Sequence, residues 1–237
     1  MKVFLIGATG GIGAALARRL TAKCVEVVLA GRNEEKLSLL GQELGARQIS
    51  VNAADFDALD RAVAEAGPID ALVNCAGSLL LKPAHLTTER EFRETIELNL
   101  TTAFSAVRAG AKAMMNTGGS IVLCATAAAR AGMPNHEAIA AAKGGVLGLT
   151  MAAAASYANR NIRVNCVAPG LVDTPLTARI TTNEASLKVS QAMHALGRIG
   201  KPEDVASAIA WLIDPENSWI TGQVLGVDGG LSTVRPR

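Results

Sequence analysis

The feature that most constrains this chain is a glycine-rich string set between an apolar run and a helix-like one. Leu5-Ile6-Gly7-Ala8-Thr9-Gly10-Gly11-Ile12-Gly13 follows the strand-like run Val3 to Ile6 and opens a helix-like segment from Gly11 to Leu20. A strand that turns at once into a helix needs glycine where the backbone folds tightly and where strand and helix approach closely. The same junction offers unpaired N–H groups and the positive end of a helix dipole, which suits a phosphate group. A glycine string alone is weak evidence. Its place at a strand-to-helix junction strengthens it. The competing reading is a structural turn with no ligand.

The rest of the chain repeats the alternation. Strand-like runs are expected at Val25 to Ala30, Ile49 to Ala53, Ala71 to Asn74, Ser120 to Cys124, Arg163 to Ala168 and Val224 to Val227. Between them lie helix-like segments at about Asn33 to Leu44, Ala58 to Ala66, Thr88 to Met115, Asn135 to Ala158 and Pro202 to Leu212. Such alternation with short connections predicts an α/β fold, a single Rossmann-type doubly wound parallel sheet with helices on both faces. Hydrophobic residues make up 49% of the chain and aromatics 3%, so the core is expected to be packed from Ala, Val, Leu and Ile. One domain over residues 1–237 is expected. The stretch from Asp173 to Lys201 has no clear period, and a long irregular segment after a strand suggests a substrate lid. A plain surface loop is the alternative.

The formal net charge is +2 and no run of like charges occurs, so no nucleic-acid or membrane partner is expected. The opening apolar run is too short for a signal segment or a span, and a cytoplasmic location is expected. Cys24, Cys75, Cys124 and Cys166 show no metal-ligand spacing, and no metal is expected; Cys75, Cys124 and Cys166 sit at or beside apolar strand-like runs and read as buried thiols in a reducing compartment, with a catalytic cysteine as the alternative.

The residue at the carboxyl end of the second strand selects the dinucleotide. An acid there bonds the ribose 2′-hydroxyl of NAD, whereas an arginine accommodates the 2′-phosphate of NADP. This strand ends Leu29-Ala30-Gly31-Arg32-Asn33, without an acid. Arg32 offers a planar fork of donors, so NADP(H) is the expected cofactor. The alternative for Arg32 is a solvated surface charge.

The string Gly-x-x-x-Gly-x-Gly resembles the glycine motif of the short-chain dehydrogenase/reductase family, with Ile6 where that family usually has Thr. The resemblance extends along nearly the whole chain. Asn74-Cys75-Ala76-Gly77 is similar to the family's Asn-Asn-Ala-Gly segment, and Pro169-Gly170-Leu171-Val172-Asp173-Thr174 to its Pro-Gly segment. The tail from Gly197 to Asp204 and Val227-Asp228-Gly229-Gly230 fits as well. The nearest flavour is the 3-oxoacyl-carrier-protein reductase-like branch. The resemblance implies cofactor contacts from Gly7, Thr9, Gly10, Gly11, Ile12, Gly13, Arg32, Asp55, Asn74, Ala76, Gly77, Lys143, Pro169, Gly170, Val172 and Thr174. It puts Asp55 at the adenine amino group, and Val172 and Thr174 at the carboxamide. It also implies a homotetramer or homodimer.

The family's catalytic set is Asn, Ser, Tyr and Lys. Here the matching positions read Asn99, Thr126, Ile139 and Lys143. Thr keeps a hydroxyl, but Ile cannot donate a proton to a carbonyl oxygen at any pH. The chain's one tyrosine, Tyr157, lies about five helical turns on, roughly 27 Å away, and reads as core packing. His136 is a candidate surrogate acid, and a water chain to Lys143 is another. Two functions follow as expectations. One is a slow or atypical NADP(H)-dependent oxidoreductase acting on a carbonyl or alcohol. The other is a catalytically inactive NADP(H)-binding sensor or partner subunit. Substrate-pocket candidates are Leu79, Leu80, Arg130, Met133 and the segment Thr174 to Met193.

Overall fold

The computed structural model describes residues 1–235, so the last two residues of the expected 1–237 unit lie outside the described residues. Seven strands form one parallel sheet: β1 Lys2–Ile6, β2 Glu26–Gly31, β3 Arg47–Ser50, β4 Ala71–Asn74, β5 Gly119–Cys124, β6 Ile162–Pro169 and β7 Val224–Val227. Their order is β3-β2-β1-β4-β5-β6-β7. The helices among the described residues are α1 Gly11–Thr21, α2 Glu34–Leu44, α3 Phe56–Ala66, α4 Glu89–Ile96, α5 Thr102–Met114, α6 Glu137–Tyr157, α7 Ala178–Thr181, α8 Glu184–Met193 and α9 Pro202–Ile213.

The central strands are apolar on both faces because both are covered. Period-two alternation sends Phe4, Val28, Leu72, Ile121 and Val164 into a layer shared with α3, α5 and α6. Val3, Leu5, Val27, Leu29, Val73, Val122 and Val167 enter the opposite layer, against α1, α2 and α9. The strand order reverses between β1 and β4, which opens a crevice at the carboxyl ends of those two strands. Helix α6, with the turn that follows it, is long and apolar enough to cross a membrane. Here it packs on β6 as a core helix, with Ala142, Val146, Ala153 and Ala154 buried.

The structure corrects three expectations. The third strand starts at Arg47, not Ile49, because Val28 to Gly31 of β2 pair with Arg47 to Ser50. It is an edge strand, so Arg47 and Gln48 stay exposed and break the apolar pattern. The helix expected from Thr88 to Met115 is interrupted by a wide π turn, Glu97–Thr101, between α4 and α5. The stretch expected to be irregular from Asp173 to Lys201 contains α7 and α8. Neither buries a residue, so neither carries the apolar period by which a helix is read.

Candidate functional site

The glycine turn lies at the crevice. Gly7 adopts φ +74°, and a Cβ there would stand 2.5 Å from the Ala76 nitrogen and 2.7 Å from the Cys75 carbonyl carbon. A Cβ on Gly13 would overlap the Gly7 carbonyl oxygen. These two glycines are thus required by close approach of β1, α1 and the segment after β4. Helix α1 begins after Gly10, has no side-chain cap and carries no acid in its first turn. Its first ladder bond runs from the Ala14 N–H to the Gly10 oxygen (2.8 Å), so the N–H groups of Gly11, Ile12 and Gly13 precede the ladder. By contrast, α2, α3, α4 and α8 are capped by Asn33, Asp55, Thr88 and Asn183. An uncapped, acid-free helix start at the crevice fits the pyrophosphate of a dinucleotide.

At the carboxyl end of β2, the Thr9 Oγ1 lies 3.9 Å from where a Gly31 Cβ would stand. Arg32, exposed, borders a groove of about 860 Å³ whose other side carries Arg90 and Arg93 together with the acids Glu89, Glu94 and Glu97. Asp55 is exposed and accepts the Ala58 N–H at 2.9 Å as the cap of α3; one carboxylate oxygen serves the helix.

A second group of residues meets at the ends of β4 and β5. Asn74 is buried and its Oδ1 accepts the Ala76 N–H (3.0 Å). Asn99 is fully buried within the π turn. Its Oδ1 accepts the Ser78 N–H (3.1 Å), and its Nδ2 donates to Ser78 Oγ and to the Thr95 oxygen (both 2.9 Å). The bond to Thr95 occupies a carbonyl that a regular ladder would use, which is why the turn widens at this residue. A Cβ on Gly77 would lie 2.8 Å from Asn99 Oδ1 and 3.3 Å from Lys143 Nζ, so the three residues converge. Lys143 is 7% exposed and donates to the Cys124 oxygen at 2.7 Å. Burial pushes its pKa below the ordinary lysine value. Thr126, two residues after Cys124, is half-buried and accepts the Ala128 N–H at 3.3 Å. Ile139 stands one helical turn before Lys143 and is 3% exposed.

The third group follows β6. The Gly170 N–H donates to the Val227 oxygen, and Val172 forms an isolated parallel bridge with Gly200. That bridge uses the Leu171 oxygen and the Asp173 N–H, leaving the Val172 N–H outside it. Thr174 reaches back over the glycine turn: a Cβ on Gly11 would lie 2.6 Å from its methyl. His194 was not singled out from sequence. It is 2% exposed and ties the end of α8 to this loop, its Nε2 accepting the Leu171 N–H (3.2 Å) and its Nδ1 donating to the Ser190 oxygen (2.6 Å). A lone histidine in an otherwise exposed segment gives no sequence signal for such a role.

Among the other candidates, His136 stands at the start of α6 with its ring on the Pro134 oxygen (2.7 Å). Tyr157 packs partly buried against the core at the far end of α6. Leu79, Leu80 and Met133 are half-buried and Arg130 is exposed. Of the three cysteines expected to be buried, only Cys166 is; Cys75 and Cys124 are half-buried because they stand where the strands open into the crevice. Among the described residues no cluster of His, Cys, Asp or Glu side chains is placed to hold a metal ion.

A family model described as Enoyl-(Acyl carrier protein) reductase matches residues 7–232. The chain is 35% identical over 233 residues to 3-oxoacyl-[acyl-carrier-protein] reductase FabG of Rickettsia bellii, covering 97% of this chain and 96% of that protein. It is 36% identical over 238 residues to 2,3-dihydroxy-2,3-dihydro-p-cumate dehydrogenase of Pseudomonas putida, covering 94% and 91%. A solved short-chain type dehydrogenase/reductase from Mycobacterium ulcerans superposes with a TM-score of 0.94 at 30% identity, covering 99% of this chain and 90% of that one.

Proposed function

The chain belongs to the short-chain dehydrogenase/reductase family, in its 3-oxoacyl-carrier-protein reductase-like branch, and from that premise we propose that it is an NADP(H)-dependent oxidoreductase of carbonyl and alcohol substrates that works without an enzyme tyrosine. The observation that carries this reading is the joint placement of an uncapped glycine turn and the Gly77–Asn99–Lys143 cluster along one crevice. Bound NADPH supplies the hydride.

The chain's own residues divide the remaining work. The N–H groups of Gly11, Ile12 and Gly13 hold the pyrophosphate, with Gly7 and Gly10 shaping the turn. Arg32 and Thr9 take the 2′-phosphate, and the free oxygen of Asp55 takes the adenine amino group. Asn74, Ala76 and Gly77 wall the crevice beside β4. Pro169 and Gly170 shape the loop from which the Val172 N–H and the Thr174 hydroxyl reach the carboxamide. Lys143 holds the nicotinamide ribose, and Asn99 steadies the backbone at Ser78 beside it. Thr126 orients the substrate oxygen. The proton reaches that oxygen through water from Lys143, which burial makes a better acid than an exposed lysine. Losing a positioned acid costs roughly 10² to 10⁴ in rate, so turnover is slow. Leu79, Leu80, Arg130 and Met133 line the substrate side, and residues 173–201 close over it as a lid.

Buried Ile139 favours the second reading, an NADP(H)-binding sensor or partner subunit without turnover. Fluorescence titration with NADPH and NADH tests the cofactor, and tighter binding of NADH sinks the NADP assignment. Following NADPH absorbance with oxoacyl thioesters, cyclic ketones and aldehydes separates the two functions. Binding without oxidation of NADPH on any of them leaves the sensor.

A further inference from the structure

Two thiols that the proposed reaction does not use stand side by side beneath the crevice. The pairing of β4 with β5 sets Asn74 opposite Leu123, which brings Cys75 opposite Cys124 one step further along. Both pack against the same layer, the one shared with α1 and α9, so both side chains leave the sheet on one face. Neighbouring strands lie about 4.8 Å apart, inside the Cα separation of roughly 4.4–6.8 Å that a disulfide spans. Both residues are half-buried where the strands end.

We propose that Cys75 and Cys124 form a redox-active dithiol that hydrogen peroxide closes to an intramolecular disulfide at the cofactor site. Interaction between the two thiols lowers the Cys124 pKa and raises that of Cys75; the Lys143 ammonium further favours the Cys124 thiolate. Cys124 is therefore the attacking sulfur. Its thiolate takes one oxygen of the peroxide to become a sulfenic acid, and hydroxide leaves. The Cys75 sulfur then displaces the sulfenic hydroxyl as water, with its thiol proton taken up, so the two thiols are oxidised by two electrons and the peroxide is reduced to two waters. Cys166 stays out: it lies in the opposite layer, and burial pushes its thiol up to about 12. Cys24 is exposed in the turn before β2, at the amino ends of the strands and so at the opposite end of the sheet from the crevice.

Closure bears on the glycine turn. The Cys75 backbone lies where a Gly7 Cβ would be, without room for a methyl between them. Drawing Cys75 toward β5 therefore disturbs Gly7, and the oxidised protein is expected to bind NADPH about tenfold more weakly. This second part rests on the dinucleotide reading of the crevice; the disulfide itself does not.

The test treats the full-length protein with hydrogen peroxide, blocks free thiols by alkylation and maps the digest by mass spectrometry. The expected product is one Cys75–Cys124 cross-linked peptide, reversed by dithiothreitol, unchanged in Cys24→Ser and absent in Cys75→Ser and Cys124→Ser. Sulfinic acid at Cys124, a Cys24-linked dimer alone, or unmodified thiols at both positions would overturn the proposal. The wild-type map carries this result even if a serine variant fails to fold. NADPH titration of the same reduced and oxidised samples reads the coupling. A cross-link with unchanged affinity overturns the coupling, whereas reduced protein that binds no NADPH refutes the dinucleotide reading and leaves the disulfide standing.

Discussion

Two side chains set one turn apart on α6, Ile139 and Lys143, carry the proposed reading of the site. On the proposed reading Ile139 stands where the family's proton-donating tyrosine is expected, and it is 3% exposed. Ile139→Tyr is expected to raise the rate of NADPH oxidation with an accepted carbonyl by about 10²- to 10⁴-fold. Packing strain in a buried position lowers stability by about 1–3 kcal/mol, which a thermal melt of the same variant reads. If the folded variant gains no activity, more than the acid is missing. Lys143 shows the opposite balance. Burial penalises its charge, and one hydrogen bond to Cys124 offsets only part of that. Lys143→Met is expected to leave stability unchanged or raise it by about 1 kcal/mol while removing hydride transfer and weakening NADPH binding. A loss of stability in urea unfolding would show that the lysine is structural.

At the scale of elements, the site depends on how helices begin. Thr88 and Glu91 form a capping box at α4, with Lys82 on the Glu91 carboxylate at 2.8 Å. The Lys82 hydrogen bond, then those from Thr88, lower the Glu91 pKa from 4.5 to about 2. A carboxylate depressed on folding contributes its stability above its unfolded pKa and loses it as pH falls through the folded one. The start of α4 is thus expected to be fully held above about pH 4.5 and to weaken progressively toward about pH 2. Urea midpoints across that window should fall in the wild type, and Glu91→Gln should remove that part of the dependence. Helix α1 differs because it lacks a cap of its own. Gly13→Ala drives a methyl into the Gly7 carbonyl and is expected to cost about 1–3 kcal/mol and to abolish NADPH binding. Gly11→Ala meets the Thr174 side chain and the Pro175 ring, not the strand or helix backbone. It should destabilise less than Gly13→Ala, because the loop after β6 can shift where the Gly7 carbonyl cannot, and lose affinity because that loop no longer closes on the turn. Equal destabilisation by both variants would contradict this distinction.

At the scale of the whole molecule, apolar surface stays exposed. A groove of about 460 Å³ between α5 and α6 is lined by Phe104, Val107, Met115, Leu149 and Tyr157. Trp219, before β7, is 99% exposed. A homodimer or homotetramer is expected in sedimentation equilibrium, and Phe104→Glu should shift the mass toward the monomer; a wild-type monomer would refute the assembly. Much of this architecture was legible in the residues. Strands buried on both faces must be continuously apolar, and the glycines of the turn are the residue type that close backbone contact permits, so the sheet and the turn could be read directly. The positions Asn99, Thr126, Ile139 and Lys143 came from the resemblance to the family's catalytic set. Three things could not be read. The exposed edge strand β3 and the exposed helices α7 and α8 bury too little to leave a period. The π turn arises from a side chain competing for a backbone carbonyl, which no periodicity records. The pairing of Cys75 with Cys124, and the clamp of His194 on the loop after β6, join residues distant in the chain. The sequence by itself determined the layers and the glycine turn, because each is a local requirement on residue type. Only the tertiary structure decided which thiols, amides and ring nitrogens meet, because strand order and packing bring those groups together.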